Sequence, residues 1–370
     1  MEKILFTASI DGHLIGFHIP YIKWFNDQGY EVHTASNGNG KIPYVHMKHN
    51  IQFERSPFKF TNILAYKQLK KIIEENDYKL IHCHTPMASF ITRLAARRVR
   101  KKGAKVMYTA HGFHFFKGAP IINWLLYYPI EKLMARYTDC IITMNDEDYN
   151  ISRNHLAKNN TRFVNGIGVD LTVYKPQTTE KKDQLRKHYG YKKSDFILTF
   201  AGELSYRKHQ DLLINAISCV KENIAGIKLL LAGEGCFYDQ YKDQIIKLGL
   251  EEYVFLLGKR NDIVDLMMLS DVAVSSSRQE GLPVNVMEGI ATGLPMIVTD
   301  CRGNRDLVKN NENGYIIGIE NTQDFCDAIL KLYDSPIDRM RFANNNIEII
   351  KKYSIENTIK EMAVIYNEYL

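Results

Sequence analysis

Residues 275–292 combine two carboxylates with a predicted helix start, an arrangement that could bind a sugar nucleotide. The segment reads S-S-S-R-Q-E-G-L-P-V-N-V-M-E-G-I-A-T, with Glu280 and Glu288 eight positions apart. Proline is favoured at the first position of a helix, because its missing N–H would be unbonded there anyway. Pro283 therefore predicts a helix start, with Glu280 in the loop before it and Glu288 about a turn and a half inside.

The first backbone N–H groups of this predicted helix, on Val284 and Asn285, would be free to bind an anion. Carboxylates accept hydrogen bonds from hydroxyl groups. Donors for an anion and acceptors for a sugar would thus converge in one short segment. Acids also occur near helix N-termini simply as partners of the helix dipole, so the spacing alone leaves both interpretations open.

A second candidate segment follows a predicted strand and reads Ala201-Gly202-Glu203-Leu204-Ser205-Tyr206-Arg207-Lys208. Gly202 would let a ligand approach the backbone closely, and the two adjacent cations could neutralise a diphosphate. The alternative is a solvated helix start. Because cations are disfavoured at the N-terminus of a helix, the pattern favours a role for Arg207 and Lys208 in binding.

Two further strand ends carry candidate residues. Gly233-Glu234-Gly235 forms a glycine turn, but the dinucleotide pattern G-x-G-x-x-G fails at Tyr238, and the opening turn at residues 11–16 lacks it too. This argues against a nicotinamide enzyme. Arg260 follows a predicted strand at 253–257 and would contact a nucleotide or pair with a neighbouring acid.

Short apolar runs alternate with amphipathic helical stretches along the chain, which predicts parallel sheets with helices on both faces. With 370 residues, the chain is too long for one ordinary core. We predict two doubly wound, Rossmann-like α/β domains at 1–170 and 195–352, a linker at 171–194, and a helix at 353–370 that packs back on the first domain. The predicted strands are 3–9, 30–35, 79–84, 105–109, 139–143, 196–201, 227–232, 253–257, 271–275, 295–299 and 314–317.

The strands of the first domain end in small, polar or histidine residues. In doubly wound sheets the ligand crevice lies outside the carboxyl ends of the strands. His82 and His84 would share one face of a strand. No Cys or His follows at the usual zinc spacing, so we interpret them as a pair at the rim of a site. His111 ends a strand before a glycine; a buried structural role is the alternative to a place in the site.

Composition limits the class of protein. Hydrophobic residues make up 45% and charged residues 24%, and the net charge is +6, which is typical of a globular chain and suits an anionic ligand or membrane surface. The six cysteines are scattered, which favours reduced thiols. We expect a cytoplasmic protein, because Met1 leads directly into a strand and the apolar stretch 119–130 is too short to cross a bilayer.

The candidate segments together resemble the retaining family 4 of the GT-B glycosyltransferases. The resemblance rests on Gly202-Glu203 with Arg207-Lys208, Gly233-Glu234-Gly235, Glu280-x7-Glu288 and Tyr108-Thr109-Ala110-His111-Gly112. The opening Asp11-Gly12-His13 through Tyr21, and His82-Cys83-His84-Thr85-Pro86, are similar to capsule and exopolysaccharide transferases of the CapM and EpsD kind. The match spans nearly the whole chain, and the order of the motifs is more specific than any one of them.

The resemblance implies a role for each matched residue. Glu288 would hold the ribose hydroxyls of UDP, and Glu280 would meet the donor sugar. Arg207 and Lys208 would bind the diphosphate, and His111 would act near the transferring sugar. The other implied substrate-binding positions are Gly12, His13, Gly202, Glu203, Gly233, Gly235, Arg260, Gly281, Leu282, Pro283 and Val284. The link Gly281-Leu282-Pro283 is shorter than the commoner E-G-F-G-L-P form, which leaves the donor sugar open.

The implied function is transfer of a hexose or N-acetylhexosamine from a UDP-sugar to a polyprenyl-diphosphate-linked saccharide, by two domains facing a cleft. No metal or other cofactor is expected, because fixed cations can stabilise the departing diphosphate. Asp146-Glu147-Asp148 mimics a metal-binding D-x-D, but after a strand end it is better interpreted as acids in a helix's first turn. Two alternatives remain: a UDP-sugar 2-epimerase, which the spacing of Glu280 and Glu288 disfavours, and a non-catalytic nucleotide-sugar-binding membrane scaffold.

The region 93–128 combines basic and aromatic residues, as expected of a protein that sits on anionic lipid. The usual RNA-binding motifs are absent from it, so no nucleic-acid partner is expected. The alternative is a solvated helix end beside ordinary core aromatics. The basic residues are Arg93, Arg97, Arg98, Arg100, Lys101, Lys102 and Lys105, and the aromatic runs are 113–116 and 124–128.

Overall fold

The computed structural model describes residues 1–54, 56 and 58–370, which divide into two compact units. Unit 1 comprises Met1–Gly168 and Ile355–Leu370, and unit 2 comprises Val169–Ser354. The stretch 171–194, predicted as a linker, lies within unit 2 and contains a helix, Thr179–Tyr189. The C-terminal helix, Ile355–Asn367, belongs to unit 1.

Unit 1 is built on a seven-stranded parallel sheet with the order β3-β2-β1-β4-β5-β6-β7. Its strands are β1 Lys3–Ile10, β2 Glu31–Asn37, β3 Met47–Asn50, β4 Tyr78–His84, β5 Lys105–Thr109, β6 Cys140–Thr143 and β7 Thr161–Phe163. Its helices are α1 Asp11–Phe17, α2 Ile19–Asp27, α3 Thr61–Asn76, α4 Pro86–Arg100, α5 Ile121–Ala135 and α6 Asp146–Ile151, which continues as a π-helical turn, Ser152–Leu156. The interior residues of β1 are buried, as expected where helices cover both faces of a parallel sheet.

The C-terminal helix is anchored in unit 1 by buried polar and aromatic contacts. Tyr366 is buried, its ring stacks on Trp24, and its hydroxyl lies 2.9 Å from Nδ1 of His82. Gly168 has φ of +85°, and a Cβ there would lie 2.6 Å from Cα of Ile355. Only glycine therefore allows the start of this helix to approach so closely.

Unit 2 is built on a six-stranded parallel sheet with the order β10-β9-β8-β11-β12-β13. Its strands are β8 Phe196–Ala201, β9 Ile227–Ala232, β10 Val254–Gly258, β11 Val272–Ser275, β12 Met296–Thr299 and β13 Gly314–Ile317. Its helices are α7 Thr179–Tyr189, α8 Gln210–Val220, α9 Tyr238–Lys247, α10 Ile263–Leu269, α11 Val284–Ala291, α12 Asn304–Leu307, α13 Thr322–Asp334 and α14 Pro336–Ile349, followed by a 3-10 turn, Ile350–Tyr353.

Both sheets reverse their strand order at one point, between β1 and β4 in unit 1 and between β8 and β11 in unit 2. This confirms the predicted doubly wound architecture. Ligands of such sheets bind outside the carboxyl ends of the strands at the reversal. The loops that begin at Gly202 and Ser276 follow β8 and β11, so the two main candidate segments meet at the reversal point of unit 2.

Candidate active site

The reversal point of unit 2 joins Glu280 to both predicted cations. Nζ of Lys208 lies 2.6 Å from Oε1 of Glu280, and Nη1 of Arg207 lies 3.1 Å from Oε2. Glu280 and Lys208 are buried, whereas Arg207 is exposed. Burial by itself raises the pKa of Glu280, but the charges of Lys208 and Arg207 outweigh it and hold the pKa below its ordinary value. The carboxylate is therefore ionised at neutral pH.

Hydrogen bonds between the two loops hold this group in place. The backbone N–H of Arg278 donates to the carbonyl of Arg207 at 2.8 Å, and the hydroxyl of Ser276 donates to the carbonyl of Lys208 at 2.8 Å. The guanidinium of Arg278 lies over the ring of Tyr206 at 4.1 Å. The cations are thus positioned by backbone contacts before any ligand arrives.

The loop after β12 supports Glu280 from the other side. Nε of the buried Arg302 donates to the carbonyl of Glu280 at 2.7 Å. Gly303 has φ of +79°, and a Cβ there would lie 2.3 Å from the carbonyl oxygen of Gly281. Sequence reasoning missed both supporting residues. The available signal was their position just after a predicted strand, which had identified the other candidate segments.

Helix α11 places Glu288 on the same segment. The helix begins at Val284, so Pro283 is its N-cap rather than its first residue, one position from the prediction. Burial raises the pKa of Glu288 to about 7, against a hydrogen bond from the Tyr174 hydroxyl and the charge of Lys208, which lower it. Tyr174 lies in the irregular stretch before α7, where no motif indicated a site residue.

The predicted glycine turn serves to pack two loops together. A Cβ on Gly233 would lie 2.0 Å from the carbonyl oxygen of Gly202, and one on Gly235 would lie 2.1 Å from that of Leu204. The N–H of Leu204 donates to the carbonyl of Glu234 at 3.0 Å. Glycine is thus required at 233 and 235 by backbone packing, and both positions support the turn that leads to Arg207.

Two predicted binding residues of unit 2, Glu203 and Arg260, are not part of the group around Glu280. Glu203 is exposed, and its carbonyl accepts a hydrogen bond from Nε2 of Gln210 at 2.8 Å. Arg260 follows β10, an edge strand, and its Nε donates to Oδ1 of Asp262 at 2.8 Å. Of the two alternatives for Arg260, the structure has the pairing with a neighbouring acid.

Unit 1 gathers four histidines at its own reversal point. His13 lies in α1, His18 follows it, His84 ends β4, and His111 follows β5. Nε2 of His13 lies 3.2 Å from Nε2 of His111 and 3.3 Å from Nε2 of His18, and Nε2 of His111 lies 3.5 Å from Nδ1 of His84. Burial lowers the pKa of all four, that of His13 to about 4, so the rings are neutral at pH 7.

The predicted rim pair of histidines separates into two roles. Only His84 joins the cluster, whereas His82 is held in the core between the Tyr366 hydroxyl at 2.9 Å and the Thr109 hydroxyl at 2.7 Å. Sequence reasoning missed His18, and it did not predict that the four histidines lie together. The rule that strand ends converge at one edge of a parallel sheet was the available signal.

Two other predictions for unit 1 concern Gly12 and the acidic run at 146–148. Gly12 lies inside α1, and a Cβ there would meet Cδ1 of Ile10 at 3.8 Å, an ordinary contact distance, so packing does not require glycine at this position. The acids lie in the first turn of α6, whose N-cap Asn145 accepts a hydrogen bond from the N–H of Asp148 at 2.8 Å. Oδ2 of Asp148 accepts from the N–H of Phe113 at 3.2 Å, which fixes the loop that carries His111.

A cavity of about 870 Å³ adjoins the histidine cluster within unit 1. Ser9, His13 and Thr85 are among its polar lining residues, and most of its lining is apolar, including Phe60 before α3, Ile63 of α3 and Phe90 of α4. Phe58 and Phe60 are 88% and 87% exposed, and Ile121 and Leu125 of α5 are 77% and 65% exposed. An apolar cavity therefore shares its walls with exposed apolar surface.

The region 93–128 is not the single basic and aromatic surface that the sequence predicted. Arg93 is buried, pairs with Glu131 at 2.8 Å and lies over the Tyr108 ring at 4.2 Å. Phe113 and Phe115 are buried too. These three residues therefore belong to the core. The buried charge of Arg93 is tolerated because it is paired with an acid.

The exposed cations of this region do not line the cavity. Arg97, Arg98, Lys101 and Lys102 are exposed at the C-terminal end of α4, whereas residues of the same helix from Pro86 to Leu94 contribute to the cavity wall. The basic residues thus follow the cavity-lining part of this helix. Within the described ranges no helix is long and apolar enough to cross a membrane.

Known families account for both units. A model described as "Glycosyl transferase 4-like" matches residues 3–145, and one described as "Glycosyl transferases group 1" matches residues 181–349. Together with the doubly wound sheets, these matches define a glycosyltransferase of the GT-B fold. The chain belongs to the group 1, family 4-like glycosyltransferases.

Individual proteins are also similar to this chain in sequence or in structure. EpsD of Bacillus subtilis (strain 168), named as a glycosyltransferase, is 44% identical over 371 residues, which covers 100% of this chain and 97% of that protein. The UDP-Gal:alpha-D-GlcNAc-diphosphoundecaprenol alpha-1,3-galactosyltransferase of Escherichia coli is 28% identical over 315 residues, 82% of this chain and 81% of that protein. The crystal structure of Anabaena Alr3699/HepE in complex with UDP-glucose has a TM-score of 0.81 at 20% identity over both full chains, and supports the fold.

Proposed function

We propose that this protein is a retaining glycosyltransferase that moves a hexose or N-acetylhexosamine from a UDP-sugar to a polyprenyl-diphosphate-linked saccharide in capsule or exopolysaccharide synthesis. The observation that carries the proposal is the buried Lys208–Glu280 pair, with Arg207 beside it, at the reversal point of a doubly wound sheet. Charged groups placed there suit a ligand with an anionic and a hydroxyl-bearing part.

In the proposed donor complex, UDP binds to unit 2. The diphosphate competes with Glu280 for the N–H groups of Arg207 and Lys208, and Glu280 is released to accept hydrogen bonds from the sugar. Glu288 accepts hydrogen bonds from the ribose. As the glycosyl–phosphate bond breaks, negative charge develops on UDP and positive character on the sugar. Fixed cations stabilise the first without a metal, and the retaining outcome rests on the family resemblance.

The proposed acceptor site is the cavity in unit 1. Its polar lining residues suit the diphosphate and saccharide, and its apolar ones suit the start of a polyprenyl chain. The name of the Escherichia coli relative specifies a diphosphoundecaprenol-linked acceptor, which supports this assignment. His111 is proposed to act in the transfer step, and the lack of a side chain at Gly12 is proposed to leave room for phosphate.

The proposed location is the cytoplasmic face of the membrane, with the protein bound peripherally. The exposed apolar side chains of Phe58, Phe60, Ile121 and Leu125 would enter the lipid interface. The exposed cations at the end of α4 would then add a weaker attraction to anionic headgroups. This arrangement would let a lipid-linked acceptor enter the cavity without leaving the bilayer.

Calorimetry with UDP tests the donor half of this proposal. Glu288→Ala should weaken UDP binding about 10- to 100-fold, because a hydrogen bond to a charged group contributes about 1.5–3 kcal/mol. The matched control is Glu251→Ala, an exposed acid of the same unit, which should bind as wild type does. Equal affinity in Glu288→Ala and wild type would remove Glu288 from the site, and no UDP binding by wild type would contradict the donor assignment.

A further inference from the structure

We propose that His13, His18, His84 and His111 form a binding site for one transition-metal ion, with Zn²⁺ as the ion that fits best. Each histidine offers one ring nitrogen, and these four nitrogens all lie within 4.8 Å of one another. A metal site of this kind is a separate proposal from the glycosyl transfer proposed above, which needs no metal.

Hydrogen bonds alone do not account for the contacts in this cluster. The nitrogens form a chain, from His18 to His13 at 3.3 Å, to His111 at 3.2 Å, to His84 at 3.5 Å. Each ring nitrogen has one in-plane position, which holds either a hydrogen or a lone pair. The two inner nitrogens each have two neighbours, so at most two of the three contacts can be linear hydrogen bonds. One pair of polar atoms is left facing without a bond.

The outward nitrogens do not compensate for this deficit. Nδ1 of His18 and Nε2 of His84 are buried and have no hydrogen-bond partner among the described residues. Within the described ranges, the rings of His18 and His84 therefore make their hydrogen bonds only through the nitrogens that face the cluster. Buried polar groups in native proteins are nearly always bonded, and four buried imidazoles with so few hydrogen bonds are costly unless something binds between them.

A tetrahedral metal ion explains the spacing. With Zn–N bonds of about 2.0–2.1 Å, the nitrogens of a tetrahedral site lie about 3.3–3.4 Å apart. The three distances of 3.2, 3.3 and 3.5 Å match this edge. The four nitrogens lie within 4.8 Å of one another, and the rings of His18 and His84 are stacked with their centroids 3.7 Å apart, so closure around an ion requires these two rings to rotate out of their stacked arrangement.

The donor set selects the class of ion. Four imidazole nitrogens without a thiolate or carboxylate suit zinc, copper or nickel rather than magnesium or calcium, and tetrahedral geometry favours zinc. His13 and His111 are only partly buried, so water or an anion can reach the ion and screen its charge. A bound ion engages Nε2 of His111, and we therefore infer that the metal-bound form is the slower transferase.

Direct metal binding tests the proposal independently of transferase activity. Tag-free full-length protein, stripped with EDTA, is titrated with Co²⁺ and then with Zn²⁺, and the bound metal is counted by mass spectrometry. We expect one ion per chain, an intense visible d–d absorption typical of tetrahedral Co²⁺, and displacement of Co²⁺ by Zn²⁺. No intense absorption in wild type, or Zn²⁺ binding of less than one ion per chain, would overturn the proposal.

Variants locate the site. His18→Gln and His84→Gln should each weaken Zn²⁺ binding at least about 100-fold, since even outer partners of a metal ligand contribute 10- to 100-fold. His155→Gln, an exposed histidine of the same unit, is the matched control and should bind as wild type does. Unchanged affinity in both cluster variants would overturn the proposal. Circular dichroism of the metal-free variants checks that they are folded. If they are not, the visible absorption of Co²⁺-bound wild type decides whether the proposal holds.

Discussion

Nζ of Lys208 lies 2.6 Å from Oε1 of Glu280, and both side chains are buried where the loops after β8 and β11 meet. A buried ion pair is costly to desolvate and gives little net stability. Its presence at the reversal point of a sheet therefore points to use by a ligand rather than to stabilisation of the fold. In the proposed reaction the pair opens, and each partner binds a different part of the UDP-sugar.

Loss of Lys208 should destabilise the protein as well as inactivate it. Lys208→Met removes the buried cation that pairs with Glu280 and leaves the exposed Arg207 and a hydrogen bond from Ser277, and removal of one partner of a buried pair costs about 3–5 kcal/mol. Urea unfolding measures the change in the free energy of unfolding. Lys259→Met, at an exposed lysine of unit 2, is the control. A Lys208→Met protein as stable as this control would show that the pair does not contribute as described.

Stability should fall as pH rises through the range set by Glu288. The pKa of Glu288, about 7 in the folded protein, lies above its ordinary value of 4.5, so the folded state holds the proton more tightly than the unfolded chain. Below pH 4.5 both states are protonated. Between 4.5 and 7 the unfolded chain releases its proton first, which lowers the free energy of unfolding by up to roughly 3 kcal/mol.

Urea unfolding at pH 5 and pH 8 measures this effect, with Glu288→Gln as the control that removes the titrating group. The difference between the two pH values should be smaller in Glu288→Gln than in wild type. UDP affinity of wild type should rise from pH 6 to pH 8, because the ribose hydroxyls donate to the ionised carboxylate. The same pH dependence in both proteins would mean that Glu288 is not the group responsible.

Glycosyl transfer should not require a divalent metal. Arg207 and Lys208 already supply the positive charge that the departing diphosphate needs. In protein first stripped of metal, turnover in EDTA should equal turnover in magnesium, measured as UDP release in the presence of acceptor. Zn²⁺ added once EDTA has been removed should slow turnover, because it engages His111. Strict dependence on magnesium would contradict this part of the mechanism.

Membrane binding should depend more on apolar side chains than on the basic cluster. Replacement of Ile121 and Leu125 by Ser should reduce sedimentation with anionic liposomes at both low and high salt, because both side chains are exposed on α5. Replacement of Arg97, Arg98, Lys101 and Lys102 by Ser should reduce it only at low salt, because salt screens the attraction. Unchanged liposome binding by the variant with Ile121 and Leu125 replaced would show that α5 does not contact the membrane.

The sequence predicted most of the regular structure because the apolar strands are distinctive. The predicted strands 196–201, 227–232 and 314–317 agree with β8, β9 and β13 at every residue. Strand β3, Met47–Asn50, was missed because none of its residues is buried and it carries no apolar run. Helix α7, Thr179–Tyr189, was missed because it is strongly polar, with Leu185 and Arg186 as its only buried residues.

The candidate site was predicted where short motifs carry it and missed where distant segments meet. Glu280 and Glu288 share one segment, and their setting at a helix start was predicted within one residue. Arg302 and Tyr174 reach Glu280 and Glu288 from elsewhere in unit 2. His13 and His111 are 98 positions apart, and only the strand order of the sheet brings them together. Tertiary contacts of this kind leave no local pattern.

The central claim is tested most directly by sugar transfer to a lipid-linked acceptor. Protein is incubated with radiolabelled UDP-sugars and an undecaprenyl-diphosphate-linked saccharide, and the label is followed into the organic phase. Wild type should transfer label from one UDP-sugar, with UDP released in equal amount, and Lys208→Met should not. Conversion of a UDP-sugar to its epimer without acceptor, or binding of UDP-sugars with no transfer to any lipid-linked saccharide, would contradict the account.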